Sequence, residues 1–273
     1  MKIFLSSSIV IYKNDPIVLR RTIESFLNTN LSVKLYIVDN SPTNYLEQFC
    51  KGENIEYLFG KGNIGFGAAH NTILRQGRKL GKYHLVLNPD VYFSAGVLES
   101  LVDYMNINQD VGLVMPKILY PQGQVQYLPK LLPSPWSIIK RKLPIPKSLK
   151  NRIVNNYELR FVDENKIIEV PIISGCFSLF RTTVFEKIGI YDDRFFMYFE
   201  DFDISRRVHK HFKTIYYPNV FVYHGYERGA QKSWRLFKIF LSSFVKYFNK
   251  WGWIADSERV VVNKLTLSKV KNK

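Results

Sequence analysis

Apolar and β-branched residues recur over the first 120 positions in short runs, at residues 3–12, 33–38, 55–59, 84–87 and 111–115. Their length and composition predict buried strands. Between them the apolar spacing lengthens to that of a helix, over residues 15–28, 68–80 and 94–106. Asp15 followed by Pro16 supplies a cap and a first-turn proline for the first of these helices. Strand-helix alternation of this kind predicts a three-layer αβα architecture with a mostly parallel central sheet. Ligands in such sheets bind beyond the carboxyl ends of the strands. Asp39, the Gly60 to Gly67 loop and Asp90, each following a predicted strand, are thereby expected along one rim. No internal repeat is visible.

The chain has 273 residues, 46% hydrophobic and 23% charged, enough to bury a sizeable core without disulfides. That excludes a small stapled scaffold and a disordered chain. Its two cysteines, Cys50 and Cys176, form no CxxC pair, give no zinc-module spacing, and suit a reducing compartment. The first apolar stretch is short, is followed by Lys13-Asn14-Asp15 and has no small-residue cleavage site. It reads as a first strand of a cytoplasmic protein and not as a signal peptide.

The net charge of +16 is concentrated in two places. Residues 130–152 hold seven Lys/Arg and no acid, residues 228–273 hold eleven against Asp256 and Glu258, and the remainder is neutral. A neutral body with two basic appendages points to a polyanion or an anionic membrane at one face. Residues 233–253, projected on a helix, separate Trp234, Leu236, Phe237, Phe240, Leu241, Phe244, Val245, Tyr247, Phe248 and Trp251 from a Lys-rich face of Arg235, Lys238, Ser242, Ser243, Lys246, Asn249 and Lys250, with Ile239 alone misplaced. Such a helix fits an anionic membrane interface, with an ordinary surface helix packed on the body as the alternative. It cannot span, because Lys238 and Lys246 interrupt every run of about 20 apolar residues. Pro133, Pro135, Pro144 and Pro146 predict an irregular insert over 130–152. The expected division is thus 1–227 as the catalytic domain and 228–273 as a helical, membrane-associating segment.

Several motifs suggest chemistry. Gly60 to Gly65 satisfies GxGxxG but follows the third strand, not the first, which argues against a dinucleotide fingerprint. Its glycines still let backbone N–H groups approach a phosphate at a helix start. Asn88-Pro89-Asp90 leaves a carboxylate on the rim, an oxygen ligand for a hard divalent cation or simply a turn. Glu200, Asp201 and Asp203 follow an aromatic run, and carboxylates crowded beside apolar groups hold protons more tightly, as a general base requires. Capping of the following helix is the plainer reading. His224, ending a strand-like run, is a metal ligand or a buried structural histidine.

Taken in order, these motifs resemble the family 2 inverting glycosyltransferases of GT-A fold, in particular the bacterial rhamnosyltransferase-like branch. The resemblance runs from residue 3 to 225. It rests on the stretches Ser8–Tyr12, Val38–Ser41, Gly62–Asn71, Leu87–Val91, Ser174–Arg181, and Phe195–Asp203 with Arg207 and His224. It implies that Asp39 accepts a hydrogen bond from the pyrimidine of a nucleotide sugar, with Asn63, Gly65 and Asn71 nearby. It implies a divalent metal, Mn²⁺ or Mg²⁺, at Asp90 and His224, and donor contact by the backbone of Gly175 and Cys176. Asp201 is implied as the base that deprotonates the acceptor, with Glu200 the second choice. Asn88 departs from the family by replacing the first acid of its DxD motif. The expected donor is dTDP-rhamnose, with a UDP-sugar as the alternative. The expected acceptor is a lipid-linked saccharide, used at the inner face of the bacterial membrane in cell-surface polysaccharide synthesis. Homodimerisation is left open. A nucleic-acid-binding protein is the rival class, and the neutral body and lack of a nucleic-acid motif argue against it.

Overall fold

The computed structural model describes residues 3–60, 62–75, 78–140, 146–225 and 233–271. Lys61 of the glycine loop, the basic residues Arg141, Lys142, Arg228, Lys232 and Lys273, and the expected boundary at 227/228 lie outside the described residues.

The first half alternates as its pattern predicts. β1 (Leu5–Ile11), β2 (Val33–Asp39), β3 (Ile55–Phe59), β4 (Tyr83–Leu87), β5 (Val91–Tyr92) and β6 (Val111–Leu119) are interleaved with α1 (Pro16–Leu27), α2 (Phe66–Arg75) and α3 (Val97–Ile107). Asp15 caps α1 by accepting from the Ile17 and Val18 N–H groups, and Pro16 fixes φ at its first position. Side chains alternate across β2. Leu35 and Ile37 enter the main core, while Tyr36 and Val38 meet Ala69 and Ile73 of α2 on the opposite face.

The sheet runs in the order β3-β2-β1-β4-β8-β6-β9-β5, with β7 (Ile168–Glu169) also on β9. β3, β2, β1 and β4 are mutually parallel, as β6 and β9 (Lys213–His224) are to each other. β8 (Phe177–Arg181) lies antiparallel between β4 and β6, so the whole sheet is mixed. This reversal matters for the site. Leu87 at the end of β4 pairs with Phe177 at the start of β8, which brings Gly175 and Cys176 to the rim where the parallel strands end.

One expectation is corrected, and one pair of alternatives is divided between two parts of a helix. The described part of the basic insert is largely helical: Pro135 occupies the first turn of α4 (Pro135–Ile139), and Pro146 precedes α5 (Lys147–Tyr157), while Pro144 lies outside the described residues. Proline at a helix start costs no hydrogen bond, so these residues begin helices rather than break them. After α6 (Val184–Ile188) and α7 (Glu200–His209), the chain ends in α8 (Trp234–Trp251) and α9 (Ser257–Lys271). The apolar face of α8, expected in lipid, is largely spent on the protein. Phe244, Tyr247 and Phe248 join the same buried cluster as the sheet residues, and the buried stripe includes Ser243, placed on the polar face by projection. Leu241, Val245 and Trp234 of the expected lipid face remain exposed.

Candidate active site

β2 ends at Asp39, whose Oδ1 accepts the Ser41 N–H (2.7 Å) and whose Oδ2 accepts the Tyr57 hydroxyl (2.6 Å). Burial and this carboxylate hold the Tyr57 hydroxyl above its ordinary range. Asp39 is itself fully buried, and its neighbour Asn40 faces the cleft. Asn40 Nδ2 donates to the Gly65 carbonyl (3.2 Å), and Asn63 Oδ1 accepts the Gly65 N–H (3.0 Å). Gly65 has φ +94°, and a Cβ there would stand 2.3 Å from the Phe196 carbonyl oxygen. Only glycine allows the loop to sit this close to residue 196. Asn63, Gly65 and Asp90 line a cleft of about 570 Å³, within the usual range of about 300–1,000 Å³ for small-molecule sites. Asn71 does not reach it. Its Oδ1 accepts the Tyr191 N–H and its Nδ2 donates to the Tyr191 carbonyl and Asp193, so its amide fastens the 191–193 loop to α2.

A second corner forms where β4 and β9 end. His224 Nε2 lies 3.5 Å from Asp90 Oδ1 and 3.4 Å from Asn88 Nδ2. Gln126, which the sequence did not single out, fixes this ring: its Oε1 faces His224 Nδ1 at 3.0 Å while its Nε2 donates to the His224 carbonyl (2.8 Å). An acceptor at Nδ1 places the ring proton there and leaves Nε2 for Asp90's side. Burial by itself lowers the His224 pKa, and the adjacent Cys176 and Asp90 more than offset this, raising it to about 10. Asp90 thus holds a proton on His224 Nε2, and a small cation bound between the two would take that proton's place. Among the described residues no group of three His, Cys, Asp or Glu side chains converges, so further ligands for a metal would have to come from phosphate oxygens and water. The donor set fits a divalent ion shared with a diphosphate.

The acidic pair stands on α7. Asp201 Oδ2 accepts the Gly175 N–H (3.2 Å) and Oδ1 the Phe202 N–H (2.9 Å). Burial raises the Asp201 pKa, while Lys130 and these N–H groups act in the other direction. Glu200 is more deeply buried, its Oε2 has no hydrogen-bond partner among the described residues, and burial together with Asp201 pushes its pKa well up. The Gly175-Cys176 segment bridges the two corners, since the Cys176 carbonyl accepts the Asn88 N–H (2.9 Å). A carboxylate with raised proton affinity and a cation-binding corner therefore share one edge.

The turn into α7 is strained. Tyr198 and Phe199 have φ +71° and +66°, a left-handed conformation that costs bulky residues roughly 1–3 kcal/mol each. Phe199 is 4% exposed, and its ring meets those of Phe240, Phe244, Tyr247 and Phe248 of α8. The far side of α7 is clasped as well. Arg206 makes a bidentate pair with Asp256 (2.8 and 2.6 Å), binds Glu258 and lies 4.2 Å from the Trp251 ring centre. Asp203 accepts from Trp251 Nε1 (2.8 Å) and pairs with Lys250 and Arg207. The first turns of α8 also contribute Arg235, Leu236 and Ile239 to the cleft. Ile239, the residue misplaced in the amphipathic projection, faces the site.

The sequence profile of Glycosyl transferase family 2 matches residues 7–189. The chain is 28% identical over 229 residues to the N-acetylglucosaminyl-diphospho-decaprenol L-rhamnosyltransferase of Mycobacterium tuberculosis, covering 79% of this chain and 74% of that protein. It is 26% identical over 179 residues to the Low-salt glycan biosynthesis hexosyltransferase Agl10 of Haloferax volcanii, covering 64% and 52%. Among solved structures, GalNAc-T7 with UDP, GalNAc and Mn²⁺ superposes with a TM-score of 0.63 at 17% identity, covering 82% of this chain and 43% of that one. S. aureus TarS superposes with a TM-score of 0.58 at 12% identity, covering 94% and 41%. The chain thus spans less than half of either structure, and at these identities the likeness concerns the fold.

Proposed function

Because the chain belongs to glycosyl transferase family 2 and has the GT-A fold, we propose that it transfers L-rhamnose from dTDP-rhamnose, with inversion, onto a lipid-linked saccharide in cell-surface polysaccharide synthesis. The observation that carries this reading is the shared edge: Asp201 on the Gly175 N–H, and the Cys176 carbonyl on Asn88 beside Asp90 and His224. The activity of the mycobacterial relative supports the choice of sugar and acceptor.

In this reading Asn40, Asn63 and Gly65 hold the nucleotide, with Asp39 bracing their loop from beneath. Asp201 takes the proton of the acceptor hydroxyl as its oxygen bonds to the anomeric carbon. The bond from that carbon to the diphosphate breaks on the opposite face, and the nucleoside diphosphate leaves with its electron pair. One base suffices, because a diphosphate needs no general acid to depart. A divalent ion held by Asp90 and His224 would offset charge on the departing diphosphate. Gln126 keeps His224 Nε2 turned toward that position.

Placement at a membrane is part of the proposal. No helix among the described residues is long and apolar enough to cross a bilayer. Trp234, Leu241, Val245, Trp253 and Ile254 are exposed on or just after α8, alongside Lys238 and Lys246, and support an interfacial contact with anionic lipid.

The test is donor turnover with a panel of dTDP-, UDP- and GDP-sugars, Mn²⁺ or Mg²⁺, and a lipid-linked acceptor extract, reading released nucleoside diphosphate. Release from dTDP-rhamnose that requires acceptor is the expected result. Release from a UDP-sugar alone discards the rhamnose assignment. Flotation with phosphatidylglycerol vesicles, lost on Trp234→Ser with Leu241→Ser, checks the membrane contact; flotation unchanged by the pair sinks it.

A further inference from the structure

α8 lies beyond the segment matched by the family profile, yet its first two turns wall the cleft. Three of its side chains face that space with different chemistry. Arg235 is exposed, and no described residue forms a hydrogen bond or ion pair with it. Leu236 and Ile239 flank it and continue the apolar surface of Phe196 and Met197 on the facing loop. The residues around Arg235 add positive character. The first turn of α8 has no acid, Ser233 makes no capping bond through its side chain, and Lys238 follows within one turn, 5.8 Å from the ring centre of the exposed Trp234. Free N–H groups at a helix start favour an anion, and a guanidinium matches phosphate oxygens two at a time.

A guanidinium with no partner among the described residues, bordered by aliphatic side chains, suits a molecule in which phosphate joins directly to hydrocarbon. It suits a nucleotide less well, since the base and ribose carry polar groups that Leu236 and Ile239 cannot satisfy. The nucleotide side of the same cleft is already furnished with amides, by Asn40 and Asn63.

We infer that the start of α8 is the subsite for the phosphate-lipid junction of the acceptor, with Arg235 on the phosphate and Leu236 and Ile239 on the first hydrocarbon units. This rests on the proposed lipid-linked acceptor and deepens it. The position of the lipid then sets which sugar hydroxyl reaches Asp201.

Titration calorimetry with farnesyl diphosphate as probe, in saturating dTDP, tests the subsite without requiring turnover. The wild-type protein is expected to bind the probe, with farnesol and inorganic diphosphate each at least tenfold weaker. Arg235→Ala should weaken the probe at least tenfold, Arg235→Lys should recover part of the loss, and Ile239→Ser should weaken the probe but not inorganic diphosphate. Unchanged melting temperatures separate these effects from misfolding, since Arg235 has no described partner to lose. Displacement of the probe by dTDP would assign Arg235 to the donor and overturn the inference. So would unchanged probe binding in Arg235→Ala, or a tenfold loss confined to phosphatidylglycerol vesicles, which would assign the guanidinium to membrane headgroups. Probe binding of the expected kind in a protein that glycosylates no lipid-linked acceptor upholds the subsite and removes the proposed reaction. Transfer to such an acceptor that is indifferent to Arg235→Ala does the reverse.

Discussion

Asp39 ends one parallel strand and Asp90 follows another, where the sheet's own hydrogen bonds fix the backbone and a short step presents Asn40 and Asp90 to the cleft. Asp201 stands on a helix entered through two aromatic residues in left-handed conformation, held there by a helix that arrives more than thirty residues later in the chain. The first arrangement is local and unstrained, whereas the second exists only because Phe199 is packed among four rings of α8. Strain in a turn persists only where its surroundings over-determine it, and the proposed base depends on that over-determination. The residues that line the cleft and the base that stands beside it, behind Gly175, are therefore expected to respond to mutation in different ways.

The largest expected effect separates chemistry from binding. Asp201→Asn should lower transfer by about 10²–10⁴-fold with dTDP affinity unchanged in calorimetry, because only the base is lost. Transfer within threefold of wild type would remove Asp201 from the mechanism.

Phe199→Ala tests the strained turn itself. Removing a buried aromatic ring should cost about 3–5 kcal/mol in denaturant unfolding and should depress transfer in molecules that remain folded. Asp39 and Asn40 stand on β2, and the Gly65 loop meets the backbone of residue 196 rather than the Phe199 ring, so nucleotide binding in the folded fraction should persist. Equal loss of binding and transfer would show that the two sides are not independent.

Gln126→Ala probes the cation corner. Loss of an orienting partner on a metal-ligating histidine typically costs 10–100-fold in affinity, and Mn²⁺ affinity measured by electron paramagnetic resonance should fall by that order. Mn²⁺ affinity indifferent to Gln126 would detach this residue from the corner.

The smallest effect concerns pH. Burial raises the folded-state pKa of Glu200 above its unfolded value, so the neutral acid is favoured in the fold. Its contribution to stability is present at low pH and is lost as pH rises from the unfolded pKa through the folded one. Glu200→Gln, which mimics the neutral form, should match wild type in urea midpoint at pH 4.5 and exceed it at pH 8. A difference that shrinks with rising pH would reverse the assigned direction.

Much of the unstrained side was legible in the sequence. The runs at 33–38 and 55–59 became β2 and β3 almost to the residue, because buried parallel strands are short, β-branched and bounded by turns. The insertion of β8 between β4 and β6 was not legible, since strand order depends on non-local pairing that no periodicity records. Gln126 lay in a polar stretch without spacing and is defined only by a contact across 98 positions. Asn71 carried a motif position, but burial had turned its amide toward the loop at 191–193. The cover over the apolar face of α8 stayed open between two alternatives for a related reason. Helical projection reports that an apolar stripe needs cover, not whether lipid or Phe199 supplies it.

The clasp on Arg206 also orders events in time. Its carboxylate partner Asp256 is 50 positions further along the chain, about 3–10 s of synthesis at roughly 5–20 residues per second. During that interval a side chain that ends 2% exposed has no counter-charge from Asp256 or Glu258, and burying it unpaired is prohibitive. The helix bearing the proposed base therefore docks after the sheet has closed, and a growing chain acquires its nucleotide side before it can complete its base.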